Sequence, residues 1–280
     1  MAVPEIKAED RLKIFVSIPP QKYFVKALGG PHVAVSILVG SGQSPHTYEV
    51  TPKQMAELGK ADIYFSIGVD FERTWLKKIK AVNPRLKIVA IDQNLTKLKM
   101  TGSHTGHGHG ATLSDLKDVK EQEERELRDP HVWLNPNLVK QMARVITETL
   151  IEALPAFRGE FQENLKSFKA EMTTLDSEIK HMLKPLKNRR FFVYHPSWGY
   201  FAHAYGLTQV PIEVDGKEPG AKSLHHIIDE AKKVGIKVIF AQRGFSSKSA
   251  MAVARVIGAR MVFLDPLAED YMTSMKKTAE

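Results

Sequence analysis

The chain of 280 residues contains no cysteine. That absence excludes disulfides, thiolate nucleophiles and every cysteine-based zinc site, so a metal here would need histidine and carboxylate ligands. No apolar run approaches the ~20 residues that span a bilayer. The start, MAVPEIKAEDRLKIF, lacks a basic stretch followed by an apolar one and so does not read as a secretory signal. Either the protein is cytoplasmic or this is a mature chain whose export signal has been removed. There is also little clustering of charge. The net charge is +8 and the isoelectric point about 9.4, which raises the question of nucleic acid. The lysines are scattered over amphipathic helices, however, and the densest basic cluster, KNRR at 187–190, directly precedes a strand-like run. The charge reads as solvated faces, with no nucleic-acid partner.

What the chain does have is an ordinary apolar content of 43%, with 26% charged residues and enough length for two domains. Strand-like runs at 12–18, 33–40, 62–68 and 86–92 alternate with helical spacing at 21–30, 51–61 and 71–82. Thr51 followed by Pro52 marks a helix start. The rhythm returns with strands at 190–195, 207–214, 238–242 and 259–266 and helices at 223–235 and 247–258, where Gly235 and Gly258 sit at C-terminal cap positions. Alternation of this kind predicts parallel sheets wound in βα units. The fold class is therefore α/β, with two lobes each built on a mostly parallel four-stranded sheet.

Between them lies a helix at 137–154, broken by Pro155. A longer stripe follows through Phe157, Phe161, Leu165, Phe168, Met172, Leu175, Ile179, Met182 and Leu186, at steps of three and four. This predicts one backbone helix of ~30 residues, ~45 Å long, joining the lobes. A coiled-coil dimer is the competing explanation, disfavoured because regular e/g charge pairing is missing. The expected boundaries are 1–136 for the N-terminal lobe, 137–186 for the helical linker and 187–280 for the C-terminal lobe. Residues 101–129, TGSHTGHGHG and the charged run after it, have a composition that buries no core and read as a mobile surface loop of the first lobe.

There are eleven histidines. His46 lies in the loop beyond the strand 33–40. His131 sits in DPHVWLNP, a rigid proline-bracketed stretch. His195 ends the strand RFFVYH, and Asp265 ends MVFLD. Ligands of open α/β sheets bind outside the carboxyl ends of the strands, and all four map there or to rigid connections, two from each expected lobe. If the lobes face each other, the four converge. His203, within the helical GYFAHAYG, is the rival for the third position. His32, His181 and the pair His225 and His226 read as helix-face or loop residues, and any one histidine is by itself more often structural than ligating. Asp-Pro at 265–266 is also a common turn start. Three imidazoles and a carboxylate suit tetrahedral Zn²⁺, while manganese and iron accept the set but favour sites richer in carboxylate. Four protein ligands leave little room for a reactive water, which favours binding over hydrolysis.

The segments SPHTYEVTPKQMAELGKADIYFSIGVDFE, DPHVWLNP, FFVYHPSWGYFAHAYGL and GARMVFLDPLAEDYMTSM together resemble the metal-specific solute-binding proteins of bacterial ABC transporters, the zinc and manganese cluster, and in particular its zinc-type branch. The resemblance covers nearly everything from residue 12 onward. It implies two α/β lobes joined by a long helix, one metal in the cleft, and delivery to the membrane permease of a cognate transporter by a monomeric protein. It implies the ligands His46, His131, His195 and Asp265, with histidine at the third position where manganese-type members carry glutamate. It further implies that His104, His107 and His109 form a short version of a histidine-rich loop that captures zinc transiently, against the alternative of a solvated linker. The implied location is the periplasm or a membrane-anchored extracytoplasmic site, with the signal peptide absent from this chain. Acceptors are then needed for the other ring nitrogens, the candidates being Glu49, Asp129 and backbone carbonyls. The long helix would also limit lobe motion on metal release.

The expectation is a non-catalytic, high-affinity zinc carrier. The alternatives are a manganese or iron carrier of the same family, a zinc-dependent hydrolase, for which no His-Glu-x-x-His helix motif is present, and an adhesin using the same cleft.

Overall fold

The computed structural model describes residues 11–40, 42–100, 128–213, 218–242 and 248–280. The chain folds around two sheets of four parallel strands. In the first, β1 (Leu12–Val16), β2 (Val33–Ile37), β3 (Ile63–Ser66) and β4 (Lys87–Ala90) lie in the order β2-β1-β3-β4. In the second, β5 (Arg190–Val193), β6 (Thr208–Pro211), β7 (Val238–Ala241) and β8 (Arg260–Phe263) lie in the order β6-β5-β7-β8. Each sheet therefore starts at an inner strand, winds outward one way, then crosses back and winds the other way. The reversal leaves a crevice at the carboxyl ends of β1 and β3 in one sheet and of β5 and β7 in the other, the topological switch points where α/β sheets receive ligands.

The strands are short and end sooner than the β-rich runs, because the last residues of each run turn away to make loops. The helices between strands are α1 (Pro19–Gly29), α2 (Pro52–Leu58), α3 (Asp70–Val82), α4 (Pro136–Ala153), α5 (Arg158–Leu183), α6 (Gly199–Tyr205), α7 (Ala221–Val234) and α8 (Lys248–Ile257). Thr51 caps α2, accepting from Gln54 N at 3.3 Å, while the Gln54 side chain takes the Thr51 N–H at 3.0 Å. This reciprocal capping box is why the helix starts at Pro52. Gly235 and Gly258 adopt φ of 70° and 67°, the left-handed conformation in which a residue without Cβ ends a helix at least cost.

Contact density divides the chain into two compact units. One comprises Met1–Leu95, Asn135–Lys184 and Leu267–Glu280, the other Thr96–Leu134 and Pro185–Pro266. These units follow the sheets and are not continuous in sequence. The chain leaves the first sheet after β4, contributes the described residues 96–100 and 128–134 to the second unit, and returns for α4 and α5. His46 thus belongs to the first unit, and His131, His195 and Asp265 to the second, where the sequential boundaries had expected two from each.

In the first unit α5 runs 26 residues, about 39 Å at 1.5 Å per residue. It is shorter than the apolar stripe, for the helix stops two residues before Pro185 and leaves Leu186 exposed. Its buried residues Phe161, Phe168, Met172, Leu175, Ile179 and Leu183 are covered by α1, α4 and a C-terminal helix, α9 (Tyr271–Ala279), that the sequence pattern did not announce. Asp270 caps α9, accepting from Thr273 N at 3.2 Å. Tyr271, fully buried, meets Phe24 of α1 edge-on at 5.0 Å between ring centroids and stacks on Tyr23 at 6.0 Å; Phe24 in turn meets Phe168 of α5. The stripe that a coiled-coil partner could have claimed is thus satisfied within the unit. In the second unit Phe192, Ile212, Ile239, Ile227, Ala231 and Val253 form the core under α7 and α8.

Truncating Tyr271 to alanine removes a large buried ring from a junction of three helices. We expect a loss of about 3–5 kcal/mol from the first unit, read as a lowered urea midpoint. A midpoint unchanged within error would show that α9 contributes nothing to the core.

Candidate metal centre

His195 leaves the sheet directly after β5. The β5–β6 pairing is parallel with an offset of 18 residues, Arg190 opposite Thr208 through Val193 opposite Pro211. Carried two residues past the strands, the same offset sets Glu213 beside His195. Glu213 Oε1 accepts the His195 Nδ1–H at 2.6 Å, and both side chains are buried at about 5% exposure. The turn after His195 is tightly held: Ser197 N donates to His195 O at 2.8 Å, Trp198 N donates to the Gln209 side chain at 2.7 Å, and Gln242 Nε2 donates to Ser197 Oγ at 2.5 Å.

His131 is placed by its own neighbour. Asp129 Oδ1 accepts both the His131 backbone N–H at 2.9 Å and the ring Nδ1–H at 2.7 Å. An aspartate bonded to the backbone two residues on is an Asx turn, and Pro130 between them holds φ near its fixed value. The Tyr200 hydroxyl donates to Asp129 O at 2.9 Å and accepts from Leu98 N at 3.0 Å. Gly199 is required where it stands, because a Cβ there would sit 2.5 Å from Asp129 Oδ2. The rings of His131 and His195 lie 5.4 Å apart, centroid to centroid, and one nitrogen from each falls within 4.8 Å of the other.

Asp265 is exposed, just beyond β8. The following residue is tied to the His131 segment, since Trp133 Nε1 donates to Pro266 O at 2.7 Å.

His46, in the first unit, is partly buried. Its Nδ1–H is accepted by Asp70 Oδ2 at 2.6 Å. Asp70 opens α3, and the same helix end donates Phe71 N to Pro45 O at 3.3 Å. Glu49, one of the acceptors expected from sequence, is exposed on the loop and does not fill that role; Asp70 does. The reason is that the loop turns His46 toward the start of α3, a neighbour 24 residues on, and away from its own C-terminal side. His104, His107 and His109 lie outside the described residues. His203 is exposed on α6, and His225 sits on α7 within 3.5 Å of Asp229.

The three histidines thus share one chemistry. A carboxylate can only accept, so each Nδ1 carries its proton, and in its neutral form each ring presents the Nε2 lone pair. Sequence reasoning missed Asp70 and Glu213. The signal for Glu213 was the 18-residue strand offset, and for Asp70 its place in the first turn of the helix after β3.

Beneath the His46 loop, at the carboxyl edge of the first sheet, lies a buried polar cluster. Gln21 Oε1 accepts Ser17 N and Ile18 N, and its amide donates to Phe65 O at 2.9 Å. Glu72, 3% exposed, accepts Ile67 N at 3.0 Å, Gly68 N at 2.8 Å and the Ser17 hydroxyl, to which Tyr64 donates at 2.6 Å. Burial pushes the Glu72 carboxyl up to about 7, with its hydrogen bonds opposing and the Asp92 charge adding to the rise. Burial, then the Glu72 charge, likewise raises the Tyr64 phenol well above its ordinary value.

The fold and these anchored imidazoles define an α/β metal-binding chain. Comparison with known proteins agrees. The family model for ZnuA, zinc-uptake complex component A, periplasmic, matches residues 14–280. The zinc-binding protein AdcA of Streptococcus pyogenes serotype M3 is 28% identical over 99% of this chain, which spans 56% of that protein's length, little more than half. The high-affinity zinc uptake system protein ZnuA of Bacillus subtilis is 30% identical over 92% of this chain and 79% of its own. A crystal structure of a ZnuA deletion mutant with zinc bound superposes with a TM-score of 0.85 at 42% identity, covering 96% of both chains. The chain belongs to the ZnuA family of zinc-uptake components.

Glu72 gives stability a pH slope. Its folded pKa of about 7 exceeds the unfolded 4.5, so the folded state holds the proton more tightly. The contribution is fully present below the unfolded value and is lost as pH rises through about 7. Glu72→Gln should remove a slope of roughly 3 kcal/mol across that window, read by urea unfolding at pH 5 and pH 8. Parallel pH profiles for parent and variant would contradict the assignment.

Proposed function

We propose that this chain is a high-affinity extracytoplasmic zinc-binding protein that hands Zn²⁺ to the permease of an ABC transporter and catalyses no reaction itself. The observation that carries the reading is the pattern of anchored imidazoles: His46 on Asp70, His131 on Asp129 and His195 on Glu213, each offering Nε2. Carboxylate–histidine pairs of this kind raise ligand basicity and set ring orientation in zinc sites.

His46, His131 and His195 supply nitrogen to one ion, and Asp265 supplies the fourth, oxygen donor. Zinc accepts three nitrogens and an oxygen in a tetrahedron, whereas manganese favours more carboxylate. The protein acts as a monomer, its long apolar stripe being covered by its own helices. A full set of protein ligands leaves no position for an activated water, which separates this reading from a zinc hydrolase.

Isothermal titration of metal-stripped protein with Zn²⁺ and with Mn²⁺ tests the assignment. We expect one tight zinc site and weak manganese binding; the reverse order would overturn it. His195→Ala should cost zinc affinity about 100-fold or more, and Asp265→Ala less, because the imidazole is buried and held by Glu213 whereas Asp265 is exposed.

Glu213→Gln keeps the shape but weakens the acceptor on Nδ1. Losses of about 10–100-fold attend removal of such partners, and equilibrium competition against a zinc chelator would measure this one. Unchanged affinity would remove Glu213 from the site.

A further inference from the structure

Glu72 is a fully buried acid to which the donor set assigns no task. Burying a carboxylate costs several kcal/mol unless its oxygens are satisfied. The chain nonetheless sets one at the switch point of the first sheet and gives it two backbone amides and a hydroxyl. The two amides belong to Ile67 and Gly68, the turn by which the chain passes from β3 into α3. The first residue of α3 is Asp70, which holds His46 Nδ1. The hydroxyl belongs to Ser17, whose carbonyl accepts Val39 N at 3.0 Å as β2 ends and the His46 loop begins. One carboxylate therefore fastens both the turn that aims Asp70 and Ser17, the residue that holds the end of β2 where the His46 loop departs.

We propose that Glu72 is a positioning residue for zinc: by pinning the β3–α3 turn and Ser17 it sets the Asp70 carboxylate, and through it the direction of the His46 lone pair. The proposal rests on His46 being a zinc donor. Glu72 touches neither the ion nor His46, and its effect passes entirely through Asp70 and the loop. A purely architectural role would lower stability without favouring one ligand.

The test is a double-mutant cycle on the full chain, with Zn²⁺ affinity read by chelator competition and folding checked by circular dichroism. Glu72→Ala should weaken zinc about tenfold. Glu72→Gln, which still accepts from the turn, should stay within about threefold. In a His46→Ala background, Glu72→Ala should cost nothing further. If Glu72→Ala does not fold, Glu72→Asp serves: it keeps the charge but draws back from the amides, and we expect a loss of about fivefold that vanishes with His46→Ala. Equal losses in both backgrounds, or no loss from folded Glu72→Ala, would overturn the positioning role alone. If His46→Ala binds zinc as tightly as the parent, the donor assignment falls and the positioning role falls with it.

Discussion

A neutral imidazole has one nitrogen that donates and one that accepts, and its neighbours decide which is which. In this chain a carboxylate lies on Nδ1 of His46, of His131 and of His195, at 2.6–2.7 Å. Each pair commits the ring to a single tautomer and a single orientation. Much of the surrounding architecture serves that commitment: the parallel offset that brings Glu213 alongside His195, the Asx turn that folds Asp129 back onto His131, and the helix start that offers Asp70 to His46. The arrangement also carries a cost. Two of the three carboxylates, Asp129 and Glu213, are buried, and a buried polar group is costly unless it is matched by a partner.

The two sheets solve the same problem by different local means. In the second unit His195 and its acceptor stand at the ends of adjacent strands, so hydrogen-bond register does the positioning. In the first unit the ring is on a loop, where register has no reach. There a buried, hydrogen-bonded polar cluster of Gln21, Ser17, Tyr64 and Glu72 lies at the edge from which the loop hangs. Polar groups at a sheet's carboxyl edge are costly to bury, and each is matched by a backbone or side-chain partner. Gly199 shows how close the tolerances are, since a single methyl group there would collide with Asp129.

Much of this was legible in the sequence. The alternation of β-rich runs and amphipathic helices described both sheets, because burial of one face imposes a period on the residues that supply it. Caps at Thr51, Gly235 and Gly258 were readable because capping is chemistry between neighbours in the chain. The imidazoles at 46, 131 and 195 stood out since strand ends and rigid prolines are local features. The end of α5 was less readable: the apolar spacing runs on to Leu186, but Pro185 stops the helix and turns that leucine to solvent.

What the sequence by itself determined is the identity of the elements and the residue types available at their ends, because both follow from interactions a few residues long. Tertiary structure decided which residues meet. Glu213 and Asp70 lie 18 and 24 residues from the rings they hold, and only strand pairing and helix placement bring them near. Glu49, three positions from His46, was the plausible partner in the linear chain and is exposed in the fold. The unit boundaries also depend on three dimensions, since the described residues 96–100 and 128–134 belong to the second unit while α4, α5 and α9 belong to the first. Packing has no regard for sequence order, so the chain crosses between units where buried surface is best covered.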